Sequence, residues 1–201
     1  MVGYGIKRLS IGRSKGIMNR TSEILGVDVP EWIDKLQGKF IEKSTHVVSL
    51  EGPHFSRVRD TPLYAQVTQE FKRIGVPKRR LLGCDALTPR VRYDVSFFEI
   101  SSPVLGDELG PFLWIKQSIR PGWEGILALQ YACGNIFPRD AWVVAPQPST
   151  FPLLAEDGKQ RMLALKHSED GKWYFSIMKM GIGKLHPSMC VLHVVRHNAR
   201  R

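Results

Sequence analysis

Long apolar runs are missing from this chain of 201 residues. The longest uninterrupted one is five residues, Ala141 to Ala145, against the roughly 20 that a membrane-spanning helix needs, which excludes a transmembrane helix. Cysteine is scarce: Cys84, Cys133 and Cys190 are odd in number, far apart and form no CxxC pair. That excludes a disulfide framework and a Cys-rich zinc module, and it points to a reducing compartment. Catalytic and nucleotide-binding signatures are also lacking. There is no Gly-x-Ser-x-Gly, no HExxH, no Walker A, no GxGxxG and no EF-hand loop, so the sequence gives no reason to expect a cofactor or a bound metal. No repeat and no low-complexity tract occurs, and hydrophobic residues at 43% with charged residues at 24% are values of a chain that folds around a core.

Positive charge is what the chain has in excess. Twenty-nine Lys and Arg against 19 Asp and Glu give a net charge of +10, with net +7 over residues 1–80 and +3 over 81–201. Such a surface attracts polyanions, because many weak phosphate contacts sum through counterion release. Nucleic acid is the partner class this implies, with solubility alone as the plainer explanation. The first 22 residues carry Lys7, Arg8, Arg13, Lys15 and Arg20 and no acid, a composition shared with organellar transit peptides. Gly3, Gly5, Gly12 and Gly16 work against the amphipathic helix such a peptide forms. No apolar segment of a secretory signal follows the basic residues, so the expected location is cytoplasmic, with organellar import as its alternative.

Periodicity predicts an α+β fold in which two N-terminal amphipathic helices pack on a mainly antiparallel sheet. A first strand is read over Gly3 to Leu9 and a basic loop over Gly12 to Gly16. The first helix runs from Asp28 to Gly38, with Asp28 as cap and Val29, Trp32, Ile33 and Leu36 on one face. The second runs from Pro62 to Ile74, capped by Asp60 or Thr61, with Leu63, Val67, Phe71 and Ile74 in one stripe and Gly75 ending it. Strands are expected at Thr45–Leu50, Val91–Ile100, Phe112–Ser118, Ala141–Ala145, Arg161–Lys166, Trp173–Lys179 and Met189–Arg196. Trp123 to Ala132 fits either period and is read as a short helix. Asp170-Gly171 marks a hairpin turn. The change from helix-rich to strand-rich sequence near residues 84–88 reads as an inner seam of one domain spanning residues 1–201.

Four constellations are candidates for chemistry. The basic set is the one that recurs: Arg13, Lys15, Lys72, Arg73, Lys78, Arg79 and Arg80, joined by Arg90, Arg92, Arg196, Arg200 and Arg201. Tyr4, Phe55 and Tyr93 are available to stack on unpaired bases. The loop bearing Glu51, His54, Arg57, Arg59 and Asp60 offers His54 as a general base and Arg57 or Arg59 to stabilise charge on a phosphodiester; a solvated loop with locally paired charges is the plainer reading. Cys190, His193 and His197 have zinc-competent spacing on a helix, but the valines around them argue for a strand that turns Cys190 away from the two histidines. Met180 to His186 carries two glycines with Lys184 and His186 and matches no specific phosphate loop. The five tryptophans, Trp32, Trp114, Trp123, Trp142 and Trp173, fall mostly in apolar periodic segments and are read as core.

The expectation is a non-catalytic nucleic-acid-binding protein, for RNA or single-stranded nucleic acid, contacting phosphate through Lys72 to Arg80. A nuclease with His54 as its base is the alternative. A protein-interaction subunit of a ribonucleoprotein or mobile-element assembly is the third reading.

Overall fold

A computed structural model of the chain describes residues 29–81, 87–105, 108–147, 153–180 and 184–198. The expected strand at Gly3–Leu9, the basic loop at Gly12–Gly16, most of the 84–88 seam and the glycines of the Met180–His186 segment lie outside them. The chain's contacts divide into two units that meet in sequence at Gly38 and Lys39. In the first, helix α1 (Val29–Gly38) agrees with the expected element and carries an ion pair between Glu31 and Lys35, 2.7 Å apart and one turn along.

The second unit is a mixed α+β structure built on a seven-stranded sheet. Its strands are β1 (Phe40–Leu50), β2 (Val91–Ile100), β4 (Trp142–Ala145), β5 (Leu153–Leu154), β6 (Gln160–His167), β7 (Trp173–Lys179) and β9 (Met189–Arg196). The order is β1-β2-β9-β4-β6, with β7 on the other side of β6 and β5 continuing along the side that β4 occupies. All pairs are antiparallel except β4 with β9. Two short strands, β3 (Val104–Leu105) and β8 (Lys184–Leu185), pair apart from it. Gly171 takes the positive φ of 79° that the β6–β7 hairpin requires.

Because residues opposite one another in a ladder share a face, the register sorts the side chains into two sets. On the inner face Val48, Tyr93, Val95, Phe97, Leu192, Val194, Val143, Leu163 and Leu165 are buried in one core cluster. Helix α6 (Gly122–Cys133) lies against this face and touches β1, β4 and β6. It is apolar on nearly every side and buried from Gly122 to Leu129, as a helix sandwiched between a sheet and further helices must be. Helix α3 (Pro62–Arg73) packs against β7, burying Val67 and Phe71 completely. Thr61 caps it by accepting the Tyr64 N–H. The chain turns away at Gly75 with φ 77°, where a Cβ would come within 2.6 Å of the Cβ of Glu156.

Between β1 and α3 the chain forms helix α2 (Gly52–Arg57) and a 3-10 turn (Val58–Asp60), and α4 (Lys78–Leu81) follows α3. The outer face is covered at one end by helix α5 (Leu109–Ile115), where the expectation of a strand at Phe112–Ser118 fails. Leu109, Phe112 and Leu113, spaced at helical intervals, are buried. Phe112 stacks on Phe40 with ring centroids 3.7 Å apart and meets Phe98 edge-on at 5.3 Å. Trp114 is no core residue either, being 78% exposed. β1 begins five residues earlier than expected, because a bulge between Glu42 and Ser44 breaks the alternation that would reveal it.

Candidate nucleic-acid interface

Helix α5 covers only the Phe40–Phe98 end of the outer face. Beyond it three rows of side chains cross β1, β2 and β9: Thr45, Ser96 and His193; Val47, Asp94 and Val195; then Ser49, Arg92 and His197. Thr45, Val47, Ser49 and Arg92 are exposed, and Asp94, Val195 and His197 are half-buried. Several of these polar side chains bond to one another. Thr45 Oγ1 and Ser96 Oγ lie 2.8 Å apart, and both hydroxyls donate to Glu42 Oε1, at 2.5 and 3.1 Å. These donors hold the Glu42 carboxyl below its ordinary range, the Thr45 bond most strongly, while burial opposes them. Asp94 Oδ1 lies 2.6 Å from His197 Nδ1.

The C-terminus of α5 is tied to this face. His193 Nε2 donates to the Lys116 carbonyl at 3.2 Å, Ile119 N–H to the Val194 carbonyl at 2.7 Å, and Val194 N–H to Ser118 Oγ at 3.2 Å. Lys116 Nζ stands 5.4 Å from the centre of the Phe98 ring. Burial depresses the His193 imidazole below its ordinary pKa, and its Nδ1 is buried with no hydrogen-bond partner among the described residues.

Cations gather at the end of the sheet where β1 and β9 finish and β2 starts. Arg90 precedes β2 in a turn with φ 62°, Arg196 pairs with Tyr93 in register, and the Arg92 carbonyl accepts the His197 N–H. All three arginines are exposed, and among the described residues none forms an ion pair.

The cations expected to contact phosphate are less concentrated. Lys72 and Lys78 are exposed and likewise form no ion pair among the described residues. Arg73 is held by Glu70 through two hydrogen bonds, which lower the Glu70 carboxyl below its ordinary range, so the Arg73 guanidinium already faces a carboxylate. Arg79 and Arg80 belong to the backbone of α4, while their side chains, like all of Arg13 and Lys15, lie outside the described residues.

The His54 loop is brought against α6 rather than left in solvent. His54 Nδ1 accepts the Glu51 N–H at 3.0 Å, and its ring approaches Tyr131 edge-on at 6.3 Å. Arg57 is exposed. Arg59 reaches Glu124 on α6, with Nη2 3.4 Å from Oε1, and Tyr64 OH donates to the same oxygen at 2.7 Å. Glu124 is only 3% exposed. A carboxylate in the first turn of a helix faces the positive end of its dipole, and here a phenol and a guanidinium meet it in a site walled by Trp123, whose ring lies 5.1 Å from that of Tyr64. Such a trio can accept a proton and steady developing negative charge. Sequence reasoning missed Glu124 and Tyr64, because an acid early in a helix reads as an ordinary complement to the dipole.

Cys190, His193 and His197 lie on strand β9 and its continuation, with Cys190 on the inner face and both histidines on the outer. Among the described residues no three His, Cys, Asp or Glu side chains are placed to hold a metal ion, and no helix is long and apolar enough to cross a membrane. No family model matches the chain, and neither does any curated protein or solved structure.

Proposed function

We propose that the chain binds nucleic acid on the open half of the outer sheet face and the arginine-bearing end beside it. One observation carries the reading: Arg90, Arg92 and Arg196 lie at one end of the sheet, Arg92 on the outer face and Arg196 on the inner by register, all exposed and without an acid partner among the described residues. Backbone phosphates are the complementary partner for cations so placed, and the net charge of +10 adds a long-range attraction.

The test is an anisotropy titration of labelled RNA, single-stranded DNA and duplex DNA at several salt concentrations. Replacing Arg90, Arg92 and Arg196 together by Ala is expected to weaken binding and to flatten the salt dependence by about 0.7–0.9 in log–log slope for each phosphate that the variant no longer neutralises. An unchanged slope would exclude this end of the sheet as the phosphate-binding surface. The same titration with Lys72→Ala and Lys78→Ala measures the share of the helix end.

The buried carboxylate favours a second reading, a phosphodiesterase in which Glu124 rather than His54 takes the proton and Arg59 steadies the phosphorane-like charge. Electrophoresis of the titrated probes tests it. Shortened probe that stays intact with Glu124→Gln, at undiminished affinity, is the expected result; probe left intact by the wild-type chain rejects it.

A further inference from the structure

We propose that Trp114 is a base-stacking platform, and that it makes the surface described above select unpaired over paired nucleic acid. The inference rests on the reading of that surface as a nucleic-acid site and deepens it.

A tryptophan ring held out of a folded chain offers its faces for stacking. Trp114 is the most exposed large hydrophobic residue described, at 78%, on a helix whose Leu109, Phe112 and Leu113 are all buried. Its ring is therefore not needed to seat α5. The helix beneath it is fixed: Ser118 N–H returns to the Leu113 carbonyl and Gln117 N–H to that of Trp114, and Ile119 joins β9. A flat, rigidly mounted indole with both faces available is what stacking on an unstacked base requires.

Charge around the ring names the occupant. Lys116, two residues on, carries its ammonium over the Phe98 ring. Arg120 Nη2 donates to the carbonyl of Gly110 at 3.3 Å, and Gly110 precedes Trp114 by one helical turn, so the guanidinium lies on the flank of the helix that Trp114 shares. Neither Lys116 nor Arg120 forms an ion pair among the described residues. Glu108, the acid nearest in sequence, is engaged by Lys39 at 2.7 Å. An exposed ring beside the Arg120 guanidinium suits an aromatic group linked to phosphate, which describes a nucleotide in a single strand. In a duplex the base faces are already stacked and the ring has nothing to receive.

Trp114→Ala, Trp114→Phe and the wild-type chain would be titrated with three probes: a single strand, the same length of duplex, and an abasic strand with the same phosphates. The expected result is a loss of about tenfold or more for Trp114→Ala on the single strand, little change on duplex or abasic strand, near-normal binding by Trp114→Phe, and an unaltered salt slope. Quenching of tryptophan fluorescence by the single strand should shrink in the alanine variant. Equal binding by the wild-type and alanine chains to the single strand overturns the inference while leaving the phosphate surface standing. So does an equal loss on all three probes, or tryptophan-dependent self-association without probe. Failure of the wild-type chain to bind any probe overturns both readings together.

Discussion

His193 occupies the middle of the sheet directly across from Ser96, and its surroundings make it a pH-dependent element of stability. Burial is the main cause that lowers its imidazole below the ordinary 6.5; the bond to the Lys116 carbonyl and the charge of Glu42 pull upward, and the Lys116 ammonium pushes downward. A base whose folded pKa is depressed takes up a proton less readily folded than unfolded. Its contribution is present in full above pH 6.5 and is lost as pH falls through the folded value. Glu42, held below its ordinary 4.5, titrates outside this window. Thermal melts between pH 7.5 and 5 are expected to show falling stability, and His193→Gln is expected to flatten that fall. Parallel pH profiles for the two proteins would refute the assignment. The two described cysteines are inert by the same physics: burial lifts the thiols of Cys133 and Cys190 to about 11, so both stay protonated near neutrality.

At the scale of elements, legibility followed the length and regularity of the pattern. Val91–Ile100, Trp173–Lys179 and Met189–Arg196 are rich in β-branched and aromatic residues and are strands over the expected bounds. The helix at Pro62 announces itself through Thr61, a proline in the first turn and a four-residue stripe. The segment Phe112–Ser118 misled because bulky and β-branched residues suggested a strand. The competing signal, Leu109, Phe112 and Leu113 at helical spacing, became decisive only when Phe40 and Phe98 supplied a surface to pack on. Two-residue strands such as β3, β5 and β8 have too few positions to show any period. The candidate site was legible in residue type and illegible in grouping. Arg92 and Arg196 stand more than a hundred residues apart, and only the β2–β9 register brings them to the same end of the sheet. The partnership of Tyr64 with Glu124 spans 60 positions and likewise needs α6 to be seated first.

The second unit as a whole has a sheet with apolar packing on both faces, and this arrangement predicts how it should unfold. Phe71 is fully buried on the inner side, edge-on to Trp123 with centroids 5.4 Å apart. Phe112 is fully buried on the outer side between Phe40 and Phe98. The two rings have no shared partner, so deleting them should act independently in energy. Yet both rest on strands of one hydrogen-bonded sheet: Phe97, in the inner cluster, and Phe98, beneath Phe112, are consecutive residues of β2. Neither core can lose its support without disturbing the other. Phe71→Ala and Phe112→Ala should each cost about 3–5 kcal/mol and lower the midpoint of the same transition by about 6–20 °C. Melts followed by far-UV and near-UV circular dichroism should coincide for each variant. If Phe112→Ala instead splits the transition, with a near-UV change preceding the far-UV one, the outer core unfolds by itself and the sheet does not couple the two.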